Sequence, residues 1–357
     1  MIKKNALIEG FRFLFSIIIC LHHFRIFSDV MPYGGGYLCV DFFCIISGYF
    51  LARYCDKLNR KPYIKDISQY FAGRWIRLFP YYIFAWLTAL ITQIFILEKK
   101  LTLGSSYYIR EALMIEFYCM PSGERLNPPD WYCGYLLMAI LIILIIRALF
   151  KEKIFYIFVF FLGIAGYLYL AIVLGILNIF PINECIISIA LIRITAGICM
   201  GCAANKLSQI IKEKWPGNIG IKYVGLFIAM IYILYMTLYD SGYSFTDYIV
   251  VFLFWVAFTV VISNEGICLN DKMTHLFTYL GSLSYAIYLL HYTVVRLFVK
   301  YRWFESYDWK CVSVIFIVVV AISAIIFINI LKFLEIIYHK FIVKTCQSIH
   351  RRLKNKL

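Results

Sequence analysis

Residues Ile8–Phe27, IEGFRFLFSIIICLHHFRIF, form a mainly apolar run about as long as a helix needs to cross the ~30 Å hydrocarbon core of a bilayer. No small-residue cleavage site follows it, so the run is expected to stay as a first helix and not to be removed as a signal peptide. Further runs of the same kind follow at Tyr37–Cys55, Leu78–Leu97, Trp131–Phe150, Ile154–Gly175, Cys185–Asn205, Ile221–Tyr239, Tyr248–Asn264, Phe277–Val299 and Cys311–Ile337. The pattern predicts an all-α, polytopic membrane bundle of about ten transmembrane helices.

Composition agrees. The chain is 63% hydrophobic and 19% aromatic over 357 residues, with a mean hydropathy of +0.80, more apolar surface than one soluble core can hide. Lys and Arg number 35 against 20 Asp and Glu. In a membrane protein this surplus belongs to loops facing the anionic inner leaflet, so no nucleic-acid partner is expected. The loops holding Lys57, Arg60, Lys61, Lys65, Arg74, Arg77, Lys212 and Lys214, with both ends of the chain, carry roughly three times the Lys and Arg of the alternate loops. Both termini are therefore expected in the cytoplasm, and the loops beginning at Ser28, Glu98, Ile176, Asp240 and Lys300 outside. Residues 1–340 read as a single transmembrane domain and 341–357 as a basic cytoplasmic tail. Most of the 12 cysteines lie in apolar runs and read as buried free thiols; Cys199 and Cys202 lack nearby His or acidic partners, so no metal is expected.

An ionisable side chain inside a span is costly unless paired or hydrated, which makes such residues the first place to look for chemistry. The first run holds Arg12, His22, His23 and Arg25. At about 100° per residue, Arg12 and His23 project from one helical face about 16 Å apart, and His22 points about 100° away. They could be interfacial residues, Arg12 snorkelling and the histidines wetted; alternatively their face is one wall of a polar passage, with His23 as general base, because imidazole titrates near neutrality. In the second run Asp41 lies about one turn inside the boundary and needs a partner. Antiparallel neighbours joined by a short turn would bring it to His23, which it would orient, or to Arg25 for structure alone. Arg74 and Arg77 share a face at the start of the third helix, as positive-inside statistics or as a phosphate clamp. Arg193 reads as packing or as a donor contact, and His291 as a hydrogen-bonded core histidine. Ser47 and Gly48 read as a close-packing feature. Pro121, Gly123, Asn127, Pro128 and Pro129 mark the longest loop as irregular, one that could cover a site.

These residues together resemble the acyltransferase-3 family of membrane O-acyltransferases. Arg12, ten intervening residues and His23 resemble the family's arginine-to-histidine motif. CVDFFCIISG at Cys39–Gly48 is similar to its GVDxFFxxSG segment, Arg74-Trp75-Ile76-Arg77 to its RxxR motif, and LGSLSYAIYLLH at Leu280–His291 to its late helix. Cys39 replaces the usual glycine, and DWYCGYLLMAILI lacks the acidic residue that many members carry after the tryptophan. The chain resembles the form without an appended SGNH hydrolase-like domain. The resemblance implies a multi-pass protein of the bacterial inner membrane using acyl-CoA, most often acetyl-CoA, as donor. The residues and the resemblance together make His23, Asp41 and Arg12 the expected catalytic residues, His23 either deprotonating the acceptor or carrying the acyl group transiently, and Arg74, Arg77 and Arg193 the expected donor-binding ones. The acceptor it implies is a hydroxyl of a surface polysaccharide such as capsule or O-antigen, or of its lipid-linked precursor, approaching from outside beneath the Pro-rich loop. A glycan flippase or transporter is the competing reading, since intramembrane His, Asp and Arg also build proton relays; missing inverted repeats count against it.

Overall fold

The computed structural model describes residues 5–25, 32–98, 100–101, 104–115, 125–175, 177, 188–214, 219–239, 245–263 and 269–354. Within them the chain is an all-helical bundle without strands: α1 (Ala6–Arg25), α2 (Cys39–Leu58), α3 (Ile64–Ile91), α4 (Ser105–Ala112), α5 (Trp131–Leu149), α6 (Glu152–Val173), α7 (Ile189–Lys214), α8 (Ile219–Tyr239), α9 (Thr246–Ser263), α10 (Asp271–Lys300), α11 (Trp303–Ser306) and α12 (Trp309–Lys354). Among the described residues, nine helices are long and apolar enough to cross a membrane, and α8 is apolar over Tyr223–Tyr239.

Packing does not follow chain order. The most extensive contact of α1 is with α10, and that of α2 is with α7; α7 also touches α5, α6 and α9 and so forms the centre of the bundle. Both principal pairs are parallel. Along α1 and α10, Gly10 meets Phe277 and Glu9 meets Gly281, with His23 beside His291 further along. Along α2 and α7, Asp41 meets Arg193 and Asp56 meets Asn205. The parallel sense of α1 and α10 requires an even number of reversals between them. With α2, α3, α5, α6, α7 and α9 crossing, that condition is met only if α8 crosses too, which agrees with the ten spans read from the sequence.

Small residues select these partners. A Cβ placed on Gly48 would lie 2.0 Å from the Ile198 carbonyl oxygen, and one on Gly201 2.0 Å from that of Ile45, so α2 and α7 touch backbone to backbone, the close approach that membrane helices use in place of a hydrophobic drive. There Cys202 Sγ donates to the Gly48 carbonyl at 3.3 Å. Cys20, Cys39, Cys44, Cys55, Cys133, Cys199 and Cys202 are free and buried, and Cys311 is free and exposed.

Two connections differ from the sequence expectation. The long loop after α3 contains the helix α4 and a 3₁₀ turn at Pro128–Asp130, whereas Pro121 and Gly123 lie outside the described residues. The last helix runs unbroken from Trp309 to Lys354, past the expected end of the span at Ile337. At about 1.5 Å per residue, its 46 residues are more than twice the length needed to cross.

Candidate active site

Two buried polar clusters lie on either side of α1. The first is built by α1 and α10. The rings of His23 and His291 are 5.1 Å apart between centroids, and Tyr292 stands edge-on to His23 at 5.8 Å. His291 is fully buried. Its Nδ1 lies 2.6 Å from the Tyr288 carbonyl oxygen, one turn back on its own helix. A carbonyl only accepts, so Nδ1 carries the hydrogen and Nε2 presents a lone pair. His291 Nε2 and His23 Nδ1 have no hydrogen-bond partner among the described residues, an unusual state for buried polar atoms. His22 turns the other way, its Nδ1 donating to the Tyr33 carbonyl at 3.2 Å. The chain preceding α2 backs directly onto it, where a Cβ on Gly36 would lie 2.5 Å from His22 Cβ. Two adjacent histidines thus have separate settings, as their angular offset on the helix anticipates.

Arg12 forms an ion pair with Glu9, with Nη1 at 2.9 and 3.2 Å from its two carboxylate oxygens. It lines a partly open cavity of about 60 Å³ with Ile19, Val40, Phe43, Tyr132, Ser284, Tyr285 and Tyr288. Tyr288 belongs to this wall, and its backbone carbonyl accepts the His291 hydrogen bond.

The second cluster, built by α2 and α7, corrects the expected role of Asp41. Its carboxylate is fully buried and pairs with Arg193, Nη2 to Oδ2 at 2.6 Å, while Tyr167 donates to Oδ1 at 2.7 Å. It meets neither His23 nor Arg25, because α2 packs on α7 and not principally on α1. Arg193 is likewise spent on this network: it donates to the Leu177 carbonyl at 2.7 Å and the Tyr37 carbonyl at 2.8 Å as well as to Asp41. With 2% of its surface exposed, it has no face to offer a donor phosphate. Tyr37 in turn donates to both oxygens of Asp247, at 2.9 Å each, and Asp247 accepts the Leu177 backbone N–H at 3.0 Å. The network fastens Gly34–Leu38, the segment against His22.

At the other end of the bundle, α3 starts where Asp66 accepts the Tyr63 backbone N–H at 2.7 Å and two bonds from Arg60 at 2.6 and 3.0 Å. Arg77 is exposed, and Arg74 is partly buried and donates to the Tyr70 hydroxyl at 3.4 Å. Both remain available to an anion.

The loop between α4 and α5 is strapped to α10 beside His291. Asn127 Nδ2 donates to the Leu289 carbonyl at 2.8 Å and to Asp130 at 2.7 Å, Tyr288 donates to the Pro129 carbonyl, and Arg296 donates to the Leu126 carbonyl. Glu111 on α4 holds this loop from behind. It accepts the Trp86 indole N–H at 3.2 Å and the Asn127 backbone N–H at 3.4 Å. Burial pushes its carboxyl pKa above the ordinary value, and those two bonds pull it partly back. Sequence reasoning singled out neither Glu111 nor Tyr167; a carboxylate in an eight-residue amphipathic helix and a tyrosine in an apolar run carry no signal of partners far away in the chain.

A search of curated proteins and one of solved structures give no match. The family model described as an acyltransferase domain matches residues 5–331 of the 357, a span that takes in Arg12, the histidine pair, the cavity and the buried network. The chain therefore belongs to the acyltransferase-3 family and is a multi-pass membrane acyltransferase.

Proposed function

We propose that the protein moves an acetyl group from acetyl-CoA, bound at the cytoplasmic side of the inner membrane, to a hydroxyl of a cell-surface polysaccharide or its lipid-linked precursor, with His23 as general base. The observation that carries this reading is the pairing of His23 with His291 at the α1–α10 contact, with Arg12 on the same helix as His23 lining a small cavity whose wall includes Tyr288, one turn before His291. The largely aromatic and aliphatic walls of that cavity, of about 60 Å³, suit a short acyl group. Arg74 and Arg77 are the residues for the CoA phosphates, as two guanidinium forks on one helical face. Arg12 lies between that end and the histidines, where the pantetheine arm would pass. In the reaction the acceptor oxygen bonds to the thioester carbon as His23 takes its proton. The carbon–sulfur bond then breaks, and the proton leaves with CoA as the thiol.

The test is O-acetylation of the surface glycan, read by NMR before and after mild base, in cells producing wild type, His23→Ala or His22→Ala at matched membrane levels. The proposal expects acetyl to be lost in His23→Ala and kept in His22→Ala, and CoA thiol to be released by purified wild type only with acceptor present. Acetylation that persists in His23→Ala removes the base from His23, and glycan movement without thiol release turns the reading to transport.

A further inference from the structure

Resting on that reading of His23, we propose that His291 is its positioning partner, filling the role that a carboxylate plays beside the histidine of a hydrolase triad. The carboxylate the sequence offered, Asp41, is committed to Arg193 and Tyr167. The group actually standing beside His23 is His291, and its chemistry is fixed by its own backbone. The Tyr288 carbonyl holds the His291 hydrogen on Nδ1, so the buried Nε2 can act only as an acceptor while the ring is neutral. His23 Nδ1 is the other buried ring nitrogen without a partner. With centroids 5.1 Å apart and planes inclined by 35°, a small turn of either ring brings the two nitrogens into hydrogen-bond reach. His23 Nδ1–H then donates to His291 Nε2, and His23 Nε2 is left with the lone pair for the acceptor hydroxyl.

The arrangement also accounts for proton traffic. When the acceptor hydroxyl gives its proton to His23 Nε2, the positive charge spreads through the Nδ1–H bond towards His291. When the thioester carbon–sulfur bond breaks, the same proton goes from His23 to the departing sulfur, and both rings return to neutral. A neutral partner stabilises the charged ring less than a carboxylate would, so the proton is handed on more readily. Tyr292 packs on both His23 and His291 and fixes the two rings beside one another.

The experiment compares purified wild type, His291→Gln and His291→Leu, assayed by CoA thiol release from acetyl-CoA with base-stripped surface polysaccharide as acceptor. The leucine variant is expected to lose about 100-fold in kcat with the donor KM unchanged. The glutamine variant should recover part of that loss, because its amide oxygen can accept the His23 Nδ1–H. Equal rates in the two variants, or an effect confined to KM, overturns the proposal. Should the leucine variant not reach the membrane, ¹⁵N spectra of histidine-labelled wild type in micelles decide, with the His23 signal identified by its loss in His23→Gln. A hydrogen on His23 Nδ1 supports the pairing, and one on Nε2 overturns it. An inactive His23→Ala beside a fully active His291→Leu removes only this inference, whereas an active His23→Ala removes the reading beneath it.

Discussion

The α2–α7 contact and the α1–α10 contact each bury ionisable side chains in a membrane bundle, and they do so in opposite ways. Asp41 and Arg193 are saturated, with hydroxyls and backbone carbonyls occupying what the ion pair leaves over. His23 Nδ1 and His291 Nε2 are left without a hydrogen-bond partner among the described residues. A closed network holds helices together, whereas an open one is available to a substrate. Intramembrane charge therefore does not identify chemistry by itself; how completely the neighbours satisfy it does. The largest effect is expected from opening the closed side. Arg193→Leu strands the Asp41 carboxylate, a change that costs about 3–5 kcal/mol for a buried pair. The variant should fail to accumulate in the membrane, and the double variant Asp41→Leu with Arg193→Leu should accumulate better than either single one. A stable, active Arg193→Leu would erase the distinction between the two contacts.

The converse substitution sharpens it. His23→Ala removes a group that makes no hydrogen bond among the described residues, so its thermal midpoint in detergent should stay near that of wild type. Its acyl transfer should fall by about 10²–10⁴-fold, the usual contribution of a general base. A midpoint that collapses together with activity would make His23 a structural residue like Asp41. Gly48→Ala comes next in size: the added methyl meets the Ile198 carbonyl across α2 and α7, and overpacking of this kind costs about 1–3 kcal/mol. The matching change on the open side, Ser284→Ala at the cavity wall, loses only the hydroxyl's bond to the Gly281 carbonyl and should cost about 0.5–1.5 kcal/mol.

Much of this was legible in the residues. Hydropathy alone marks the spans, and the eleven-residue offset of Arg12 and His23 puts both on one face of the first helix. What the sequence could not supply was helix partnership. Adjacent spans make the natural first guess, and that guess paired Asp41 with His23. The close approach at Gly48 and Gly201 instead joins helices more than a hundred residues apart; Gly48 reads as a close-packing feature in the sequence, but nothing there names the helix it packs against. His291 reads as a hydrogen-bonded core histidine, and it is one, buried with Nδ1 on the Tyr288 carbonyl; what the sequence could not show is the His23 ring beside it.

The smallest effect concerns the loop that walls the open side. Glu111 holds Asn127, which in turn bonds the Leu289 carbonyl two residues before His291. In the unfolded chain Glu111 ionises at its ordinary value, but in the folded protein burial raises that value. Between the two, the unfolded state has released a proton that the folded state keeps. Folding stability from this group is therefore full below the unfolded pKa and declines as pH rises through the folded one. Glu111→Gln does not titrate and so removes the slope. At acid pH the folded Glu111 is itself protonated, with one carbonyl acceptor as the amide has, so wild type and variant should be closest there. Thermal midpoints taken from about pH 4.5 to 7.5 should show the two curves together at the acid end and wild type falling behind towards neutrality, the other carboxylates contributing equally to both. Parallel curves would mean that Glu111 keeps one charge state throughout this range and that burial does not tune the loop's hold with pH.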